Sequence, residues 1–371
     1  MAINPEAFSP GEYIREELDA RGWTQGDLTD ILGWRPKDVS EIVTGKRAIT
    51  AETASRLADA FGTSAQLWMN LESSYRLART AAVDQGIARR ARIYSLAPVN
   101  DMQKRGWIER TDNAEVLEAQ ILKFFQIPNL DSELKFKHAA REGGGDRSAQ
   151  IAWLCRAREL AATLPVTGIF SPQSLEGLLA ELAKITPSPE ELRRIPKLLS
   201  DAGIRFLIVE PLPHSKIDGA CFWLDDKSPV VALSMRFDRI DWFWHTLMHE
   251  LAHVRNGDGK DEATLDADLV GDEAEPFESK TDIEQKADRA AVKFLINQEQ
   301  LEDFILRVRP FFSHMKILGF AHKIGTHPGI VVGQLQKRKI IEYAHSRRML
   351  VRVRHIIIPS ALTDGWKQKN L

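Results

Sequence analysis

Residues 241–254 read Asp-Trp-Phe-Trp-His-Thr-Leu-Met-His-Glu-Leu-Ala-His-Val, so two imidazoles, His249 and His253, stand four positions apart with the carboxylate of Glu250 between them. On a helix, positions i and i+4 lie one turn apart on the same face, and both rings can send a nitrogen to one Zn²⁺. Glu250, one residue round, then faces a water activated by the ion rather than the ion itself, which is where a general base must stand. The chemistry this predicts is metal-assisted hydrolysis: the ion acidifies the water and polarises the substrate's carbonyl, and Glu250 takes the proton and passes it to the leaving group.

The flanks argue against a chance match. Trp242, Phe243, Leu247, Met248, Leu251, Ala252 and Val254 make the helix apolar nearly all round, so it is expected to be buried. Burying two imidazoles and a carboxylate without partners would cost roughly 2–7 kcal/mol per group, and a metal with its water would satisfy all three. His245 continues the series at i, i+4, i+8, but at about 1.5 Å per residue it stands ~12 Å along the axis from His253. It is read as a packed histidine outside the coordination sphere.

A catalytic zinc usually takes three protein ligands, so a third must come from elsewhere. Downstream, Thr281-Asp-Ile-Glu284-Gln-Lys-Ala-Asp288 opens another helical pattern. Glu284 could close a capping box on Thr281, or bind the metal while Asp288, one turn on, orients a ligand histidine. His214 and His327 are candidate oxyanion donors, each also readable as structural. The acidic stretch from Asn256 to Ser279 is expected to be irregular, and it lacks the spacing of a calcium loop.

The elements that would position this helix precede it. Ile204–Glu210, Gly219–Leu224 and Pro229–Ser234 are short, rich in Val, Ile, Phe and Trp, and separated by Pro, Asp and Lys, which predicts a small sheet. A sheet edge beside the site could hold an extended peptide by strand addition. Upstream, helical periodicity appears in Glu115–Phe125 and Ala149–Leu164. Between them lies Gly143-Gly144-Gly145, which lacks the strand and GK[ST] of a phosphate loop. Residues 81–199 are read as a helical connector.

Residues 9–80 carry a different signal. Ser9-Pro10-Gly11-Glu12 is a capping box opening a helix to about Arg21. Thr24 opens a second that Gly33 ends, Arg35-Pro36 a third running to Val43, and two more span Ala51–Phe61 and Ser64 to about Thr80. The second and third form a helix-turn-helix. The third would enter the major groove, with Arg35, Lys37, Asp38, Ser40 and Glu41 as base-reading candidates and Gln25, Lys46 and Arg47 on the phosphates. Residues 1–80 hold nine Lys/Arg against twelve Asp/Glu, so any DNA-binding face must be a local patch. A five-helix protein-interaction module is the alternative.

Near the C-terminus, Ile324-Gly-Thr-His-Pro-Gly-Ile-Val331 echoes Leu32-Gly-Trp-Arg-Pro-Lys-Asp-Val39, and residues 337–354 carry seven Lys/Arg against Glu342 alone. This is a helix pair packed on the hydrolase with a solvated basic face, or else an auxiliary nucleic-acid contact.

With 371 residues, a net charge of −2 and 43% apolar residues, the chain has room for two or three domains and no global charge bias toward a partner. Cys155 and Cys221 lie far apart and form no CxxC pair, which fits a reducing cytoplasm and excludes a disulfide framework. Neither a leader peptide nor a membrane span is expected.

Two resemblances follow. Residues Gly33–Leu71, with Val39-Ser-Glu-Ile42, Thr44-Gly-Lys-Arg-Ala-Ile-Thr50 and Leu67-Trp68 with Asn70-Leu71, resemble the XRE-type helix-turn-helix of HigA-family antitoxins. That implies a bacterial, usually dimeric repressor of its own toxin–antitoxin operon that also binds its toxin. Residues 200–345 resemble the ImmA/IrrE metallopeptidases in Gly219, Trp223, Phe243-Trp244, His249-Glu-Leu-Ala-His253, Glu284, Ala287-Asp288 and His327-Pro-Gly329. Here His245 stands where an aromatic is more usual and Asp288 where Asn is common, and neither change removes a ligand. The resemblance implies a zinc endopeptidase that cleaves helix-turn-helix repressors. The expected fold is therefore α+β and mostly helical. It comprises a five-helix DNA-binding head over 1–80, a helical connector over 81–199, a zincin-like peptidase domain with a small sheet over 200–345, and a basic tail over 346–371. The rivals are a non-proteolytic antitoxin or repressor with a structural metal, and a metal sensor that gates DNA binding.

Overall fold

Capping chemistry sets the helices of the first unit, which runs to Ala88. Helix α1 (Pro10–Arg21) begins at the reciprocal Ser9/Glu12 box, and α2 (Gln25–Leu32) at a second box between Thr24 and Asp27. Gly33 ends α2 at φ 64°, in the left-handed region that costs a glycine nothing. Then follow α3 (Pro36–Val43), α4 (Ala51–Phe61) and α5 (Ala65–Arg79). Their apolar stripes close on one core of Ile14, Leu18, Leu28, Val39, Ile42, Leu57, Phe61 and Trp68. The Trp68 indole N–H, fully buried, donates to Thr63 Oγ1 at 2.8 Å. The expected helices are thus observed, with ends shifted by a residue at most. The computed structural model describes residues 8–79, 85–132, 145–269 and 279–366.

The second unit, Arg89–Leu371, takes in the larger part of the chain. After α6 (Gln85–Leu96), which spans the boundary, come α7 (Val99–Lys104), α8 (Ala114–Phe125), α9 (Arg147–Thr163), α10 (Pro172–Ile185) and α11 (Ile195–Asp201). Beyond the first three strands lie α12 (Ile240–Asn256), α13 (Asp282–Leu295), α14 (Gln298–Val308), α15 (His314–Ile324), α16 (Pro328–Lys337) and α17 (Arg354–Ile357).

One mixed five-stranded sheet holds this unit together: β1 (Arg205–Val209), β2 (Ile217–Trp223), β3 (Pro229–Leu233), β4 (Thr264–Ala267) and β5 (Leu362–Asp364), in the order β4-β2-β3-β1-β5. Strand β1 runs parallel to β3 and β5, whereas β2 is antiparallel to β3 and β4. The first three strands are those expected from sequence. The other two are not. Strand β4 lies inside the stretch expected to be irregular, of which residues 270–278 are outside the described residues. Strand β5 comes from the segment expected to be a basic tail, which instead completes the sheet.

The expected connector also has a different role. Every residue of β2 and β3 is buried, and strands buried on both faces need two covers. One face (Phe206, Ile208, Cys221, Val231, Leu233) packs with α12, α10 and α11. The other (Leu207, Val209, Phe222, Val230, Ala232, Leu265) packs with Leu117, Ile121, Phe125, Ala152, Trp153 and Ala157 of α8 and α9. Within residues 89–199, α8 and α9 therefore cover one face of the sheet and α10 and α11 part of the other, rather than acting as a spacer. The Trp153 indole N–H donates to the Val209 carbonyl at 2.9 Å, and Arg156 and Trp107 both hydrogen-bond Asp364 on β5.

The echo of the helix-turn-helix near the C-terminus is real as geometry, since α15 and α16 are joined by the turn at Gly325. Helix α16 buries Val331, Val332 and Leu335 in the core shared with α12, so the pair serves as packing for the hydrolase-like half.

Candidate functional site

Helix α12 is buried from Ile240 to Val254 without a break, as its all-round apolar pattern requires. It lies between the sheet and helices α13 and α16. His249, Glu250 and His253 are fully buried, and Glu284 from α13 is 1% exposed. The His249 Nε2 lies 3.1 Å from His253 Nε2 and 3.1 Å from Glu284 Oε2, and His253 Nε2 lies 3.6 Å from Glu284 Oε1. The structure thus brings together the four residues singled out for the metal and the general base. Of the two readings of Glu284, the capping box does not form, since Thr281 precedes α13 without a side-chain cap, and the Glu284 carboxylate faces the two histidines.

Each histidine is held from behind. His249 Nδ1 meets Asp288 Oδ1 at 3.1 Å, and His253 Nδ1 meets Asp258 Oδ2 at 3.0 Å. A carboxylate behind a ring fixes the hydrogen on Nδ1. Both Nε2 atoms then present lone pairs to one another at 3.1 Å, an arrangement that a shared cation satisfies. Asp288 in turn accepts from buried Lys280 Nζ at 2.7 Å. Asp258 was not among the residues picked from sequence. It sits just past the αL cap at Gly257, where chain reversal brings it back onto His253.

A second residue missed by the sequence reading is Asp266 on β4. His249, His253, Asp266 and Glu284 offer four ligand atoms all within 4.8 Å of one another. Asp266 is 1% exposed, and its Oδ2 lies 3.5 Å from His249 Nε2 and 3.7 Å from His253 Nε2, with no hydrogen-bond partner. Both carboxylate oxygens of Glu250 are likewise buried and unbonded. Leaving such atoms bare is costly, and a divalent ion with a water would meet all three. Two imidazoles and carboxylate oxygens are a donor set that suits zinc and its first-row neighbours, so the residues present fit the metal.

Electrostatics agree. Burial pushes the Glu250 carboxyl well above its ordinary range, and the charge of Asp266 adds to this, against the pull of the two histidines. For His253, burial works against the charged ring but is outweighed by the hydrogen bonds the ring donates to Asp258 and Glu284, leaving it raised to about 10 in the absence of a metal. Glu250 reaches this position because Gly219 on β2 has no side chain: a Cβ there would lie 2.3 Å from Glu250 Oε1 and 3.0 Å from Thr246 Cγ2.

The other histidines singled out from the sequence lie outside this group. His245, pushed down to about 4 by burial and by Lys337, is 3.1 Å from Lys337 Nζ and 3.4 Å from Asp288 Oδ1. It stands against Asp288, and with His249 and Asp288 it forms a second group of ligand atoms within 4.8 Å of one another. His327 caps α16, its Nδ1 accepting from Gly329 N–H at 3.0 Å, and His214 is exposed on the turn after β1. Neither makes a described contact with the four converging side chains, so the expectation of an oxyanion donor finds no support at either.

In the first unit, Arg35, Lys37, Ser40, Lys46, Arg47 and Gln25 are exposed. Asp38 is tied to Arg35 at 3.0 Å and to Arg47 at 2.7 Å, and Lys37 lies 3.8 Å from Glu41. The face at the start of α3 is therefore a patch in which the two carboxylates are partly neutralised by the cations beside them, within an acidic unit.

Comparison with known proteins divides the chain in the same way. Residues 14–68 match the family described as helix-turn-helix, and residues 200–311 the IrrE N-terminal-like domain of the M78 peptidases. Over 72 residues the chain is 43% identical to virulence-associated protein I of Dichelobacter nodosus, covering 19% of this chain and 67% of that protein. It is 35% identical over 78 residues to an uncharacterized HTH-type transcriptional regulator of Escherichia coli, covering 21% and 80%. Among solved structures, an addiction module antidote protein of the HigA family from Coxiella burnetii is 36% identical over 20% of this chain and 80% of its own, with a TM-score of 0.19. A Pseudomonas aeruginosa protein solved in complex with its operator DNA is 33% identical over 29% and 98%, also at 0.19. The chain belongs to the helix-turn-helix family of transcriptional regulators in its first unit and carries an M78 peptidase-like domain in its second. No helix among the described residues is long and apolar enough to cross a membrane.

Proposed function

We propose that this protein is a DNA-binding regulator of the HigA antitoxin type whose second unit is a zinc-dependent endopeptidase acting on a regulatory protein. The observation that carries the peptidase reading is the pair of bare, buried Glu250 oxygens beside two Nε2 atoms 3.1 Å apart. Zinc, held by His249, His253 and Glu284, would supply Lewis acidity, acidifying a water and polarising the scissile carbonyl. Glu250 takes the water's proton and delivers it to the departing amine. Asp288 and Asp258 keep both rings in the tautomer that leaves Nε2 free. The outer side of β4, the end strand of the sheet, offers backbone groups to an extended substrate.

On the DNA side, α3 would lie in the major groove with Arg35, Lys37, Asp38, Ser40 and Glu41 toward the bases, and Gln25, Lys46 and Arg47 toward phosphates. The operator complex of the Pseudomonas aeruginosa relative and the exposure of these residues support that reading, as does the HigA kinship for a dimer with a toxin partner and a cytoplasmic site of action.

The deciding experiment compares Glu250→Gln with wild type for zinc content and for cleavage of the partner encoded beside it. The proposal expects full zinc and no cleavage. A variant that holds zinc and still releases operator or toxin as wild type does would favour a regulator with a structural metal. Operator affinity that follows a chelator even in Glu250→Gln would favour a metal sensor.

A further inference from the structure

Four side chains, not three, converge at the centre, and the fourth is the one whose place in the fold is most revealing. Asp266 sits on β4 opposite Gly219 of β2. Its neighbour Leu265 faces the α8–α9 side of the sheet, so strand alternation turns Asp266 to the α12 side. There its Oδ2 stands within 3.5–3.7 Å of both Nε2 atoms and makes no hydrogen bond. The missing Cβ of Gly219 is also what lets the Glu250 carboxylate approach β2. Asp266 and Glu250 therefore look into the same space, the space in which a water to be deprotonated by Glu250 would have to stand.

A zinc centre that hydrolyses keeps one position free of protein, whereas one with four protein ligands is closed. We propose that Asp266 is a fourth protein ligand, and that the centre in this conformation is closed and latent until β4 carries Asp266 away. This rests on the metal reading above. Strand β4 is built to move. It has four residues and a single neighbour, its pairing with β2 is interrupted between Ile217 and Gly219, and it ends at Asp268 with φ 52°. Short edge strands with irregular pairing are among the first parts of a sheet to open. A peptide or partner that pairs with or displaces β4 would thus unmask the ion and admit water in one motion, and Asp268, held by Arg236 at 2.9 Å and Lys216 at 3.3 Å, is the anchor that such a motion must release.

The test uses the full chain loaded with Co²⁺ in place of zinc and acetohydroxamate as a small exogenous ligand, followed by the visible Co²⁺ spectrum. Wild type is expected to leave its spectrum unchanged at hydroxamate concentrations that saturate Asp266→Ser, with apparent affinities at least tenfold apart. Asp266→Asn, which keeps the shape of the strand, should open the site in the same direction. Wild type binding acetohydroxamate as tightly as Asp266→Ser and Asp266→Asn overturns the fourth-ligand proposal and leaves the metal reading intact. Failure of wild type to take up Co²⁺ more tightly than His253→Ala overturns the metal reading, and this proposal with it.

Discussion

Replacing Asp258 by Ala isolates the contribution of a residue that touches neither substrate nor metal. Asp258 Oδ2 takes the hydrogen of His253 Nδ1 at 3.0 Å, and truncation leaves the buried His253 ring with Glu284, 3.6 Å from its Nε2, to balance the charge it carries without metal. The folded protein without metal should lose the worth of one hydrogen bond to a charged ring, about 1.5–3 kcal/mol. Metal affinity should fall as well, because a ligand imidazole without its carboxylate loses both orientation and basicity, typically 10–100-fold. Titrating zinc against a competing chelator measures this directly. A second readout comes from stability: at free zinc 1,000 times the wild-type Kd, binding stabilises wild type by about 4.1 kcal/mol, while a variant 10–100-fold weaker keeps only about 2.7 to 1.4 kcal/mol of it. Denaturant unfolding with and without zinc resolves that gap. Wild-type affinity in Asp258→Ala would refute the reasoning, since His253 would then owe its orientation to packing alone.

Other outcomes follow from the same geometry. Gly219→Ala should leave zinc content unchanged yet lower kcat on the order of 10²-fold, because Glu250 must shift by about 1 Å to clear the new methyl. Wild-type turnover in that variant would remove Glu250 from the role of base. In chelated protein, His253 is raised to about 10 from an ordinary value near 6.5. It therefore adds stability that is fully present below pH ~6.5 and is lost as pH rises toward 10, while zinc affinity climbs through the same window as the ring gives up its proton. Unfolding curves at pH 6 and pH 9 with EDTA check the first trend, and chelator competition at the same pH values checks the second. Lys46→Ala should weaken operator binding for all sequences alike and lower the salt slope by about 1, whereas Lys37→Ala should also relax base preference, as gel-shift titrations over a salt series would show.

Much of this was legible in the residues. Capping boxes at Ser9 and Thr24, and Gly33 after an amphipathic run, are local chemistry, and local chemistry fixes helix ends. The spacing of His249 and His253 gave the centre, and Glu284 with Asp288 gave its helical partner at one turn's separation. Asp266 and Asp258 were hidden for different reasons. Asp266 lies among the acids of Asp258, Asp261, Glu262 and Asp268, where one ligand looks like a solvated charge until pairing with β2 sets its register. Asp258 depends on a chain reversal at Gly257 that spacing alone does not reveal. The signal that could have corrected the connector was present in β1: Phe206-Leu-Ile-Val209 is apolar without alternation, the mark of a strand covered on both sides, and the apolar periodicity of Glu115–Phe125 and Ala149–Leu164 was there to supply a second cover.

The strand at Leu362–Asp364 gives the molecule a sense of time. It pairs with β1, some 150 residues earlier, and through Asp364 gathers Arg156 and Trp107. On a ribosome adding about 5–20 residues per second, the helices around Trp68 emerge and close their own core while the sheet of the second unit still lacks its last strand, for on the order of tens of seconds. A nascent chain of this protein therefore completes its helix-turn-helix unit before the sheet of its peptidase-like unit can close, so the two units reach their folded forms in sequence rather than together.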